Sequence, residues 1–323
     1  MPIKLTDLIA RVPAEVEARV RRVRDQVRPI VQEALRAECR LVLRTPEETE
    51  QKRPGAHVPV EVEPGYPVVL QQITFPDDFE RIMVLGRYRG LLEQARNGAS
   101  GLVRLRDELM QRSEPSKWVS ATASDLQSVS NWAAALLKVL DQHDPLKTVL
   151  SVSQDFLGVY EYDAKGLFAD EMAVNRATIR LYWGVIGLVS EWLGCEVEDL
   201  AIVVLVHELA HAYTQNGADI EGRRWAAVSF AKAETSLKEG LAQYYTDRVL
   251  RRLERRYGAS LKIFLDLLPG QAEPYRAHVS WVQNSSPEAV RRAMLEVRRW
   301  NEGKLSDFNL RLVAAQEGLD PRS

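Results

Sequence analysis

The stretch LVHELAHAYTQNG, residues 205–217, restricts what this chain can fold into more than any other. It continues the apolar run LAIVVLV at 200–206, so two histidines and a glutamate fall inside an otherwise almost wholly apolar helix. An ionisable side chain buried there without a partner is penalised or neutralised. His207 and His211 are one helical turn apart and point the same way. Two imidazoles at that spacing can hold one zinc ion, which takes nitrogen ligands in tetrahedral geometry at ~2.0–2.1 Å. Glu208 is offset by ~100° around the axis. That puts it beside the metal, where a general base for an activated water belongs. The alternative is a pair of core histidines sharing one helix face. With only five histidines in the chain, an H-E-x-x-H pattern favours the metal site.

HELAH resembles the active-site helix of the zincin metallopeptidases. Thr214 and Gly217 stand where metzincins carry a glycine and then a histidine or aspartate, which disfavours that subgroup. Downstream, SLKEGLAQYYTD at 236–247 resembles the glutamate-bearing helix of gluzincins, whose E-G-x-A sequence supplies a third ligand. The resemblance therefore implies Zn²⁺ held by His207, His211 and Glu239. Two alternatives stay open. Ser236 and Glu239 also fit a capping box, in which the glutamate would reach back to the helix start. Glu234 and Asp219 are reserve ligands. Gln243 stands where some gluzincins place an aspartate, and Asp247 could orient the first histidine instead.

The implied activity is hydrolysis of a peptide bond by a zinc-activated water with Glu208 as general base. Gluzincins recruit a tyrosine or histidine to the oxyanion from beyond the third ligand. EPYRAHVSW offers Tyr275 and His278 for this, each of which also reads as a packing residue. No G-x-M-E-N motif of aminopeptidases precedes HELAH, which favours an endopeptidase. The strand-like RATIRLYW at 176–183 resembles the zincin edge strand along the cleft, or is an ordinary sheet strand. A non-peptide amide hydrolase would use the same site. From a different class, the alternative is a catalytically silent zincin-fold interaction or regulatory protein with a structural zinc. An intermediate case is a protease held inactive until a regulatory protein partner binds.

Net charge near −2 gives no reason to expect a nucleic-acid or membrane partner. The arginines of residues 14–42 share their helix face with Glu15, Glu17 and Asp25, as a solvated face does. Cys39 and Cys195 are too few for a disulfide framework or a cysteine zinc site, and Cys195 reads as a small buried hydrophobe. No apolar run is long enough to span a bilayer and no secretory signal opens the sequence, so the expected compartment is cytoplasmic.

Periodicity predicts an amphipathic helix over 14–42, kinked or divided at Pro29. A loop at 44–57 follows, then a hairpin of HVPVEV and YPVVLQQITF. Helices are predicted at 77–96, 101–112 and 117–141, with ARNGASG and RSEPSK as linkers. Strands at 156–163 and 176–183 lead into the metal helix. Helical stretches at 221–257, 272–283 and 286–300 precede a polar tail. The expected fold class is α+β, predominantly helical. A zincin-like core of small sheet and active-site helix occupies 116–323, after a mainly helical region with a β-hairpin at 1–115.

Overall fold

A computed structural model describes residues 2–43, 57–77, 79, 82, 88–112, 117–150, 156–162 and 177–318, the side chains of 100 and 102–124 excepted. In chain order the elements are β1 (Ile3–Lys4), α1 (Leu5–Ile9), α2 (Glu15–Cys39), β2 (Val60–Glu63), β3 (Thr74–Phe75), α3 (Arg89–Arg112), α4 (Lys117–Gln142) and α5 (Pro145–Leu150). Then come β4 (Gly158–Tyr162), β5 (Ala177–Tyr182), α6 (Trp183–Leu193), α7 (Val197–Asn216), α8 (Ala227–Lys232) and α9 (Thr235–Arg252). The last are α10 (Glu254–Leu267), α11 (Glu273–Arg276), α12 (Val279–Asn284), α13 (Pro287–Arg299) and α14 (Leu305–Glu317). The described chain is mainly helical with a small sheet, and none of its helices is long and apolar enough to cross a membrane.

Two compact units emerge, one of residues 1–5 and 72–148, the other of 6–71 and 149–323. The smaller unit pairs β1 with β3 and folds α3 against α4 as a helical hairpin. Ile82, Leu92, Ala133, Leu137 and Leu140 form its core. ARNGASG is no linker, because α3 runs through it. Each glycine inside a helix costs about 1 kcal/mol, and burial of Leu92 and Ala99 along α3 offsets that. The Ser130 hydroxyl of α4 also bonds the Arg96 carbonyl of α3 at 3.3 Å. The predicted loop at 44–57 and the RSEPSK linker fall largely outside the described residues.

In the larger unit α7 is the hub. Every residue from Leu200 to Asn216 is buried, because α2, α6, α9, α10, β4 and β5 all pack around it. A helix hydrophobic all round is what such a position selects. On α2, Val16, Val20, Val23, Val27 and Leu35 are buried as periodicity predicts, Val31 rather than Ile30 completes the stripe, and the helix continues through Pro29. Its arginines are tied locally: Arg19 binds Glu196 and Glu198, Arg21 binds Glu17, and Arg28 donates to the Val58 carbonyl at 2.9 Å.

The sheet order is β2-β5-β4, with β5 parallel to β2 and antiparallel to β4. This corrects one expectation and decides another. HVPVEV does not form a hairpin with the segment after it, since β2 pairs with the distant β5 and residues 68–72 form a 3-10 turn. Of the two readings of RATIRLYW, the ordinary sheet strand holds: among the described strands β5 is central, and β4 is the edge beside α7. The helical stretch 221–257 is interrupted at Ala233 and Glu234, beside the break expected near Thr235, and begins only at Ala227. The expected polar tail contains α14, which packs on α13 through the buried Phe308 and Leu312.

Candidate metal centre

Helices α7 and α9 carry the site. Gly240 allows a close approach on α9, because a Cβ there would stand 2.7 Å from the Trp281 ring. His207, His211 and Glu239 converge as a buried group whose ligand atoms lie within hydrogen-bonding reach of each other. His207 Nε2 is 3.2 Å from His211 Nε2, and Glu239 Oε2 is 3.1 Å from His211 Nε2. The third edge, His207 Nε2 to Glu239 Oε2, is 3.4 Å. Three ligands of one zinc at ~2.0–2.1 Å with tetrahedral angles stand ~3.3–3.4 Å apart. The triangle therefore fits one face of a zinc coordination tetrahedron.

Hydrogen bonds and ion pairs within the group account for it less fully. Seen from any corner the other two atoms stand about 60° apart, whereas a ring N–H points along one line. Burial alone would raise the Glu239 carboxyl. The charges and hydrogen bonds of His211 and His207 outweigh that and hold it well below the ordinary carboxylate range.

The other candidate ligands are engaged elsewhere. Helix α9 starts at Thr235 with no side-chain cap, so Ser236 and Glu239 do not form a capping box. Glu234 Oε2 accepts from the Leu305 amide at 2.8 Å, at the start of α14. Asp219 Oδ1 accepts from the amides of Glu221 and Arg223, at 2.9 and 2.8 Å. Cys195 is only half-buried, and burial raises its thiol to about 11.

Glu208 is 1% exposed and lines a half-open pocket with His207, Gly158, Val204, Phe264 and Tyr275. A Cβ on Gly158 would stand 2.8 Å from Val204 Cγ1 and 3.0 Å from Glu208 Cγ. Glycine therefore lets the β4 backbone come up against the glutamate. Tyr275 faces the His207 ring at 6.1 Å between centroids. His278 is not on the pocket wall. It is 1% exposed, its Nδ1 is 3.0 Å from the Tyr275 carbonyl, and burial lowers it to about 4. Of the two predicted oxyanion donors, only Tyr275 reaches the pocket. Asp247 accepts from Arg251 Nε at 2.7 Å. Gln243 donates to Gln271 Oε1 at 3.2 Å and forms part of the pocket wall.

Sequence reasoning missed one neighbour of the site. The Tyr160 ring lies parallel to the His211 ring, 6.3 Å away at 5°. Asn216 Nδ2 donates to its hydroxyl at 2.5 Å, and that hydroxyl donates to Gln215 Oε1. Strand β4 is thereby tied to the last turn of α7. The signal in the sequence is the polar pair Gln215–Asn216 at the end of an apolar helix.

Comparison with protein-family models, curated proteins and solved structures finds no match.

Proposed function

We propose that the chain is a zinc-dependent endopeptidase. The observation that carries this reading is the convergence of His207, His211 and Glu239 in a zinc-sized triangle, with Glu208 beside it on the wall of a pocket. Zinc, when held there, supplies an electrophile that polarises a carbonyl and makes a water acidic near neutral pH.

The rest of the chemistry belongs to this chain's residues. Glu208 holds the attacking water, takes its proton on a carboxylate oxygen and returns it to the departing amine. Tyr275 donates its hydroxyl proton to the developing oxyanion. Strand β4 supplies a template for an extended substrate. The bond from the Tyr182 amide to the Leu157 carbonyl sets which residues face β5. By the antiparallel alternation, Gly158, Tyr160 and Tyr162 turn their N–H and C=O groups away from β5. An extended peptide can pair with that edge, as in strand addition, with Gly158 nearest the pocket. Such binding through the main chain needs no terminal amine, which favours internal cleavage.

Glu208→Gln tests the assignment. Expected is full zinc content with hydrolysis of an unfolded protein substrate reduced about 10²–10⁴-fold. Undiminished turnover, or loss of zinc in this variant, overturns the role of Glu208.

A further inference from the structure

A second buried polar group lies in the larger unit, where α13 meets the ends of α2 and α7. Arg298 of α13 is 4% exposed. Its Nη2 donates to the Gly217 carbonyl, which ends α7, and to the Arg223 carbonyl at 3.3 Å, while Nε and Nη1 have no partner. Tyr245 of α9 is 1% exposed and its hydroxyl has no partner. Two turns before Arg298, Arg291 binds Glu288 through Nη2 and keeps Nε without a partner. The Val42–Ala218 bridge holds the end of α2 against this point, and a Cβ on Gly217 would stand 2.8 Å from Leu41 Cβ.

The inventory is one-sided. Arg298 and Arg291 both act on Tyr245, against the burial that raises its phenol. Burial lowers Arg298 only to about 10, so it is a cation at neutral pH. It raises the neighbouring Cys39 thiol to about 12, so that group is neutral and offsets nothing. Asp219 is the acid that acts on Arg298, and its Oδ1 is taken by two backbone amides. Four donor atoms with no acceptor, two of them on a buried cation, are an arrangement folded proteins avoid unless something compensates it.

We propose that Arg298, Tyr245 and Arg291 form a buried binding site for a small inorganic oxyanion, phosphate or sulfate. A tetrahedral oxyanion matches the donors in number and sign, and charge-assisted bonds to it are the strong kind. Bound there, it would pin the Gly217 turn that ends the metal helix.

The test is the thermal midpoint of the full chain at constant ionic strength as sodium phosphate, and separately sodium sulfate, replaces chloride. Expected is a saturable rise for the wild type. Tyr245→Phe should weaken the apparent affinity about tenfold, the worth of one hydrogen bond to a charged group. Arg298→Met should abolish the response while leaving the midpoint in chloride unchanged or higher, because an apolar residue replaces a buried charge. A rise that never saturates and is equal in all three proteins is salt exclusion from the surface and overturns the proposal. So does an absent response in the wild type. If Arg298→Met fails to fold, the Tyr245→Phe comparison decides.

Discussion

Two buried polar groups sit in the same unit and are built on opposite principles. In the first, two histidines and a carboxylate converge on one point and can neutralise one another, so the fold tolerates them with or without an ion. In the second, the partnerless atoms of Arg298, Tyr245 and Arg291 are N–H and O–H groups, which the proposed oxyanion would satisfy from outside. A balanced set that converges is what metal coordination asks of a protein, and an unbalanced set is what anion binding asks. The difference also explains their legibility. H-E-x-x-H fixes the relative placement of its side chains within one helical turn. Arg291 and Arg298 in RRAMLEVRR resemble any solvated helix face, and only the packing of α13 reveals that Arg298 is buried.

The largest expected effect separates the two groups outright. Glu239→Ala removes one corner of the triangle and should reduce bound zinc from about one per chain to near zero. Phosphate stabilisation should survive unchanged. Elemental analysis beside a phosphate titration reads both. Zinc retained in Glu239→Ala would return that carboxylate to a structural role.

Chelation is next. A ligand that binds only the folded state stabilises it, so stripping zinc should lower the thermal midpoint of the wild type, and re-adding zinc should restore it. In Glu239→Ala the chelator should do nothing. Equal midpoints for stripped and loaded wild type would sink the metal reading.

Gly158→Ala sharpens the geometry of the pocket. The added methyl would press on Val204 and on the Glu208 side chain. Overpacking of this kind costs about 1–3 kcal/mol. Zinc should be retained while hydrolysis falls more than stability does, because the group displaced is the proposed base. Loss of stability with unchanged kcat would mean Val204, not Glu208, takes the strain.

The smallest effect lies outside both groups. Glu198, in the first turn of α7, is held below the ordinary carboxylate range chiefly by its hydrogen bonds from Arg19. A depressed folded-state pKa contributes stability that is present above the ordinary value of 4.5 and lost as pH falls through the folded value. Arg19→Gln should therefore narrow its stability gap to the wild type as the medium is acidified below that value. Both groups are partly exposed, and a surface pair of this kind contributes ~1 kcal/mol or less. A gap that stays constant down to acid denaturation would show that Arg19 acts through packing instead.

What could be read from the sequence follows the range of the forces involved. The stripe of α2 and the placing of β4, β5 and α7 come from local periodicity, which survives folding. Glu239 was found through its E-G-x-A context. β2 was misassigned to a hairpin because Pro64-Gly65 is good turn chemistry, whereas its pairing with β5 is long-range and leaves no local mark. Whether β5 is edge or centre stayed open for the same reason, since the two differ only in what lies alongside. α3 runs through the two glycines of ARNGASG because the hairpin with α4 outweighs their propensity, a term no window of sequence contains. Tyr160 and its bonds to Gln215 and Asn216 depend on β4 crossing the end of α7.

The most direct test of the central claim is anomalous diffraction at the zinc edge from crystals of the purified chain. The account predicts one peak ~2.0–2.1 Å from each of His207 Nε2, His211 Nε2 and Glu239 Oε2. A zinc-supplemented crystal with no peak there, or with its zinc elsewhere, would contradict it and leave the three side chains as a buried ion-pair cluster.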